Sequence, residues 1–185
     1  MYSSLDTVWV LLCTALIFFM QAGFAMLDTG FTRAKNAGNI IMKNLMDFCI
    51  GSVLFWVIGF SFLYGDSIGG FIGTPSMFTA GKFADAGDLP KRVFLMFATV
   101  FCSTATTIVS GAMAGRTKFK AYLTYSAVMS GIVYPITGHW IWNSAGWRIS
   151  IGFHDFAGGT AVHVVGGTTA LIGALLVGAR IGKFD

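Results

Sequence analysis

Glutamate is missing from this chain of 185 residues, and aspartate alone supplies its eight acidic groups. Charge of either sign is scarce, at 11% of the sequence, where an ordinary soluble domain carries about 25%. That scarcity excludes a solvated globular surface. Cysteine is limited to Cys13, Cys49 and Cys102, each alone inside an apolar run, which excludes a disulfide framework and thiolate metal spacing and leaves small buried hydrophobes. No cofactor is expected. Basic residues exceed acidic ones by four, but they sit in short clusters between apolar runs. Such clusters need only a membrane surface as partner, so nucleic acid is excluded. The opening Met1-Tyr-Ser-Ser-Leu-Asp6 lacks the positive segment of a signal peptide, so the first apolar run is expected to be retained.

What is abundant is apolar sequence: 55% hydrophobic residues, with a mean hydropathy of +0.73. A hydrocarbon core of about 30 Å takes about 20 residues of helix. Runs of that kind predict five spans, at about 8–27, 40–64, 92–114, 121–142 and 156–177. The expected fold class is an all-α polytopic membrane protein. The connector 65–91 holds Gly69, Gly70, Gly73, Pro75, Gly81, Gly87 and Pro90 with Asp66, Asp85 and Asp88, and reads as an aqueous loop with room for one short surface helix. Pro135 removes a backbone donor late in the fourth run and should kink or end the helix there.

Polar residues inside the runs invite two readings each. Lys43 and Asp47 are spaced to pair one helical turn apart; a buried structural network or snorkelling is favoured over a substrate role. Phe94, Phe97 and Phe101 fall near one face beside Thr104 and Ala105, a stripe that pattern alone assigns to core packing. His139, Trp140, Trp142 and Trp147 form an aromatic cluster suited to a membrane–water interface. Within it, Trp142 is either a belt anchor or part of a vestibule where a cation meets an aromatic face.

The stretch from Asp155 to His163 and on to Arg180 organises the rest. At 3.6 residues per turn, His163 falls with Gly159, Thr160, Gly166, Gly167 and Ala170, while Val162, Val165, Leu171, Leu175 and Leu176 make the remaining surface bulky and apolar. An imidazole on a small-residue face within a membrane needs a partner or a filled space beside it. It is read either as a structural histidine or as a functional one, and function is favoured.

Lysine and arginine bias orients the spans. Arg33, Lys35 and nearby Lys43, then Arg116, Lys118 and Lys120, then Arg180 and Lys183 fall on one side of a five-span chain. Lys82, Lys91, Arg92 and Arg148 fall on the other, diluted by acids. The bias places the N-terminus outside and the C-terminus in the cytoplasm.

Five segments together resemble the ammonium transporter (Amt/Mep/Rh) family. They are Met20-Gln-Ala-Gly-Phe-Ala-Met-Leu-Asp-Thr-Gly30, Arg33-Ala-Lys-Asn36, Asn39-Ile-Ile-Met-Lys-Asn44, Tyr134-Pro with His139-Trp-Ile-Trp142, and Asp155-Phe-Ala-Gly-Gly-Thr with His163. They occur in family order over nearly the whole chain, and the last is the family's signature. Asp28 stands where members often have glutamate, and Asn143-Ser-Ala-Gly stands where a run of glycines is usual.

The resemblance implies an eleven-span fold of two inverted five-helix halves plus a last helix, of which this chain looks like the first half. It implies a homotrimer in the plasma or inner membrane, carrying ammonium or ammonia and, in prokaryotic members, meeting a cytosolic PII-type regulator. Residue by residue, Trp142 would bind ammonium at an external vestibule. Phe101, with Phe97, would form a stacked gate, which reverses the core reading of that stripe. Asp155 would start the fifth span, capping its free N–H groups and supporting the vestibule more than binding the cation. His163 would be the first of two imidazoles along a hydrophobic pore, and transport, not catalysis, would be the activity. An ammonium sensor and a non-conducting structural or regulatory half are the alternatives.

Overall fold

A computed structural model describes residues 2–80, 83 and 86–184. The expectations for Gly81, Lys82, Asp85 and Asp185 lie outside the described residues. Five long helices carry the fold: α1 (Ser4–Gly30), α2 (Ala34–Tyr64), α3 (Lys91–Met113), α4 (119–142) and α5 (Gly159–Val177). Four of them are long and apolar enough to cross a membrane. The exception is α4, diluted by Tyr122, Thr124, Tyr125, Ser126, Ser130, Thr137 and His139.

Against the apolar runs of the sequence, α2 begins six residues early, at Ala34, and α5 shows a shift of more consequence. The helix around His163 starts at Gly159, three residues later than expected. Among the described residues of the 65–91 connector, Ser67–Ile68 pairs with Ile72–Gly73 as a two-residue hairpin, and Met77–Thr79 forms a 3-10 turn. A one-turn helix, Trp147–Ser150, lies between α4 and α5.

At the centre, α3 packs against each of the other four. Its buried face is hydroxylic: Ser103, Thr104, Thr106, Thr107 and Ser110 are all 1% exposed or less. In a medium without water each hydroxyl needs an internal acceptor. Thr104, Thr106 and Thr107 donate to the carbonyls of Val100, Cys102 and Ser103, four residues back. Short side chains satisfied in this way let neighbours approach closely. At Gly166 of α5 a β-carbon would sit 2.8 Å from the Ala105 carbonyl oxygen and 2.9 Å from Ile108. The α3–α5 contact therefore depends on the missing side chain. Bulky apolar residues face outward instead, with Leu5 80%, Phe19 70%, Leu175 74% and Leu176 82% exposed. Patches of this kind suit lipid and not water.

Pro135 does not end α4. Regular helix runs from Tyr134 to Trp142, preceded by a wide π turn at Met129–Val133. A proline ring clashes with the carbonyl four residues back and lacks a donor. The wide turn re-phases those carbonyls, so the ring enters at the start of a fresh α segment where no donor is needed. A second π turn, Phe55–Gly59 in α2, packs against the first. The two meet where a β-carbon on Gly59 would lie 2.8 Å from the Ser130 carbonyl oxygen and 3.1 Å from Pro135.

Candidate site at an aromatic depression and a capped helix

The start of α5 is built by one carboxylate. Asp155 Oδ1 accepts from the backbone N–H groups of Gly158 and Gly159, both at 2.9 Å. Its Oδ2 accepts from Thr160 and Ala161, both at 2.8 Å. A helix leaves its first four N–H groups without intrahelical partners. Asp155, from just before the helix, serves four successive donors, and its negative charge lies at the positive end of the helix dipole. The chain reaches this position through Gly158, whose φ of +88° is left-handed. A side chain there would also strike Val162 at 2.7 Å. Glycine is required on both counts.

From Gly159 to Val164 the helix is π-wound, and the His163 backbone N–H donates to the Gly158 carbonyl at 3.0 Å. This winding corrects the expected face. Gly166 turns inward against α3, whereas His163, Gly159 and Gly167 stay exposed together. The 3.6-residue projection placed all of them on one side, and the wider turn advances the register. Gly158 also meets the imidazole: His163 Nδ1 lies 3.1 Å from its carbonyl oxygen. A carbonyl oxygen only accepts, so Nδ1 carries the proton and Nε2 points its lone pair away. Among the described residues Nε2 makes no hydrogen bond.

Beside this turn lies an open depression of about 290 Å³ lined by Tyr64, Phe94, Phe97, Phe101, Trp142 and Phe156. Phe97 and Phe101, four residues apart on α3, meet edge to face at 4.9 Å between centroids. Phe101 meets the Trp142 indole at 5.6 Å, again edge to face. Each such contact contributes about 0.5–1.5 kcal/mol beyond burial. Trp142 Nε1 donates to the Asp155 backbone carbonyl at 2.8 Å, tying the indole to the loop that caps α5. The structure thus brings Trp142, Phe101, Phe97 and Asp155 to one place, with His163 two turns of chain beyond. Tyr64 has no sequence signal linking it to this depression; it comes from the end of α2 and packs on Phe94 at 4.6 Å.

His139, grouped by sequence with the aromatic cluster, has a different position. It is fully buried, with Nδ1 2.7 Å from the Leu63 carbonyl oxygen and Nε2 2.8 Å from the Ser67 hydroxyl. It ties α4 to the hairpin, alongside Asn143, which donates to the carbonyls of Leu63 and Gly65 at 3.1 Å each.

Lys43 and Asp47 do not pair. Asp47, fully buried, accepts hydroxyl hydrogen bonds from Thr107 and Tyr122 at 3.1 Å each, and a close one from Ser126. Lys43 donates to the carbonyl and hydroxyl of Thr117 at 3.4 and 3.3 Å and lies over the Tyr122 ring at 5.2 Å. Three hydroxyls already occupy the carboxylate, and the flexible lysine stem carries its charge toward the helix end. Nearby, Ser110 donates to Asn44 at 2.6 Å and Asn44 to Asp28 at 3.5 Å. The buried structural network is the arrangement found.

Long apolar helices, hydroxyls bonded back to their own turns and greasy outward faces define a multi-pass α-helical membrane protein. The sequence profile described as Ammonium Transporter Family matches residues 8–185. Ammonium transporter Amt2 of Archaeoglobus fulgidus is 47% identical over 190 residues, covering 97% of this chain and 40% of that protein. A putative ammonium transporter of Synechocystis, sll0537, is 47% identical over 193 residues, covering 98% of this chain and 35% of the relative. Among solved structures, a Sensor Amt Protein superposes with a TM-score of 0.89 at 39% identity, over 97% of this chain and 46% of the other. Saccharomyces cerevisiae Mep2 shares the fold, with a TM-score of 0.85 at 24% identity, over 97% of this chain and 41% of the other. This chain belongs to the ammonium transporter family, a family of transporters and not of enzymes. It spans less than half the length of these relatives.

Proposed function

We propose that this chain supplies the recruiting vestibule and the first pore histidine of an ammonium transporter. The observation that carries the reading is that the edge-to-face Trp142–Phe101–Phe97 cluster and the exposed His163 are both held to one loop, the one that Asp155 organises. Ammonium is attracted by the negative faces of indole and phenyl rings, and Trp142 is held in orientation by its hydrogen bond to the loop. Carrying the intact ion into an apolar constriction costs several kcal/mol. Releasing a proton at the vestibule leaves a small neutral amine that can pass between the two phenyl rings. Beyond them, His163 Nε2, unprotonated, accepts a hydrogen bond from the amine. Potassium has no proton to release and is refused.

Asp155 supports this site as an anchor. Its oxygens are engaged with four N–H groups, which makes it a builder of the vestibule more than a ligand. The companion half, with its second histidine and gate phenylalanine, the homotrimer, the PII-type regulator and the N-out orientation in the plasma or inner membrane belong to the same proposal. So does the crossing of the membrane by all five helices.

The test is ammonium-dependent current and potassium leak in membranes holding the full-length protein, His163→Ala and His163→Glu at matched expression. His163→Ala should abolish transport or admit potassium, and His163→Glu, which keeps a protonatable group, should be milder. Wild-type ammonium current with potassium still excluded in His163→Ala would make the residue structural and end the mechanism. A sensor is the second reading, favoured by the likeness to the Sensor Amt Protein. It predicts ammonium binding at Trp142 without sustained current, and a signalling domain in the same reading frame.

A further inference from the structure

Asp47 is sealed between helices at 0% exposure, and among the described residues it bonds to hydroxyls and to no cationic side chain. Lys43, one turn away, is spent on Thr117. A carboxylate charge held at membrane depth needs a counter-ion. The hydrogens around it are also too few. Thr107 Oγ1 lies 3.0 Å from Gln21 Oε1, 3.1 Å from Asp47 Oδ2 and 2.9 Å from the Ser103 carbonyl oxygen. All three neighbours accept, and a hydroxyl has one hydrogen to give. Thr104 and Thr106 of the same helix give theirs to the carbonyl four residues back, at 2.8 and 3.0 Å. When Thr107 does the same, its oxygen, Gln21 Oε1 and Asp47 Oδ2 face one another with no hydrogen between them. Oxygens at that spacing repel unless a cation sits on all three. Turning the Gln21 amide over would let Nε2 donate to Thr107, but would leave the carboxylate charge without a counter-ion.

Spacing and charge identify the cation. An ion with metal–oxygen distances of about 2.3–2.6 Å, the range of calcium, sees oxygens 3.0–3.1 Å apart at angles approaching the right angle of an octahedral face. Potassium and ammonium hold their oxygens farther off and need wider spacing. One carboxylate balances one positive charge, which excludes calcium itself and selects sodium, of nearly the same radius. All the donors are hard oxygens, as such an ion prefers. Ser103 Oγ, 1% exposed and without a hydrogen-bond partner, lies one turn from Thr107 on the same face of α3 and offers a further oxygen. We propose that Gln21 Oε1, Asp47 Oδ2 and Thr107 Oγ1 bind a sodium ion that joins α1, α2 and α3. Tyr122 and Ser126 keep their hydrogen bonds to Asp47 and tie α4 to the same centre. The site is independent of the transport reading, since none of these residues lines the aromatic depression.

The experiment follows thermal unfolding of the full-length protein in detergent, titrated with sodium chloride while choline chloride holds the ionic strength constant. Wild type should gain about 3–5 °C once sodium exceeds its dissociation constant about 100-fold, and potassium should give far less. Asp47→Asn keeps an acceptor but carries no charge, so it should fold and show no sodium response. Gln21→Leu should need roughly tenfold more sodium for the same shift. Thr104→Ala, one turn of α3 away and bonded only to its own helix, should respond as wild type does. An equal shift with potassium would overturn the proposal, as would a sodium response that survives in Asp47→Asn. So would a wild type indifferent to sodium; an infrared carboxylic-acid band lost in Asp47→Asn would then show that a proton neutralises the residue instead.

Discussion

Replacing Asp155 tests how the site is built. Asp155→Ala strips the acceptor from four N–H groups at once. A hydrogen bond to a charged group contributes about 1.5–3 kcal/mol. Four would give an implausibly large sum, but Asp155 is half-exposed and water can replace much of it. Loss of an N-cap alone costs about 0.5–2 kcal/mol, and the dipole interaction adds up to about 2 more. A loss of about 2–4 kcal/mol is therefore expected. In a chain of this size each kcal/mol lowers Tm by about 2–4 °C, so Asp155→Ala should melt on the order of 10 °C below wild type. Asp155→Asn keeps one carbonyl oxygen for two of the donors but turns an NH2 toward the other two. It should fall between Ala and wild type, and so destabilise the helix as well as the vestibule. The measurement is detergent-solubilised thermal unfolding, with ammonium binding followed by Trp142 fluorescence. Binding losses should track Tm losses across Asp, Asn and Ala. An Asn variant with wild-type Tm and no ammonium binding would refute the capping argument and make Asp155 a ligand.

Asp47→Ala should abolish stable expression, because the hydroxyls of Tyr122 and Ser126 would be left buried at about 1–3 kcal/mol each, Thr107 alone keeping the Ser103 carbonyl as acceptor, while Asp47→Asn keeps an acceptor and should survive; equal melts for Ala and wild type would disprove the network's role. Gly166→Ala should destabilise by about 1–3 kcal/mol through its clash with the Ala105 carbonyl, whereas Gly167→Ala, with nothing within 4 Å, should be neutral or stabilising by up to about 1 kcal/mol. Similar denaturation midpoints for the two would show that α3 and α5 do not meet as described. For topology, cysteines at Gly69 and Pro75 should label with a membrane-impermeant maleimide from outside, and a reporter after residue 185 should behave as cytoplasmic. Labelling from inside only would invert the orientation.

The helical membrane class was legible in the sequence because hydropathy and length act locally: a bilayer of fixed thickness meets about 20 apolar residues wherever they occur. The bringing together of Asp155 and the α5 N-terminus was legible too, since a carboxylate just before a helix has few other donors to serve. Trp142, Phe101 and Phe97 came from a resemblance carried by short motifs, since aromatic spacing alone pointed to core packing. Three-dimensional structure decided the rest. The π turn at 159–164 set which residues share the face of His163, because an extra residue per turn depends on the packing of α5 against α3 and α4 and leaves no mark on composition. The wide turn before Pro135 likewise let a helix continue where the residue type by itself predicted a kink or an end. The separate partners of Lys43 and Asp47 were settled by Thr107, Tyr122 and Ser126, which lie 60 or more residues away along the chain. Charge and spacing within one helix state which groups are able to meet, and only the neighbouring helices determine which partner is nearer.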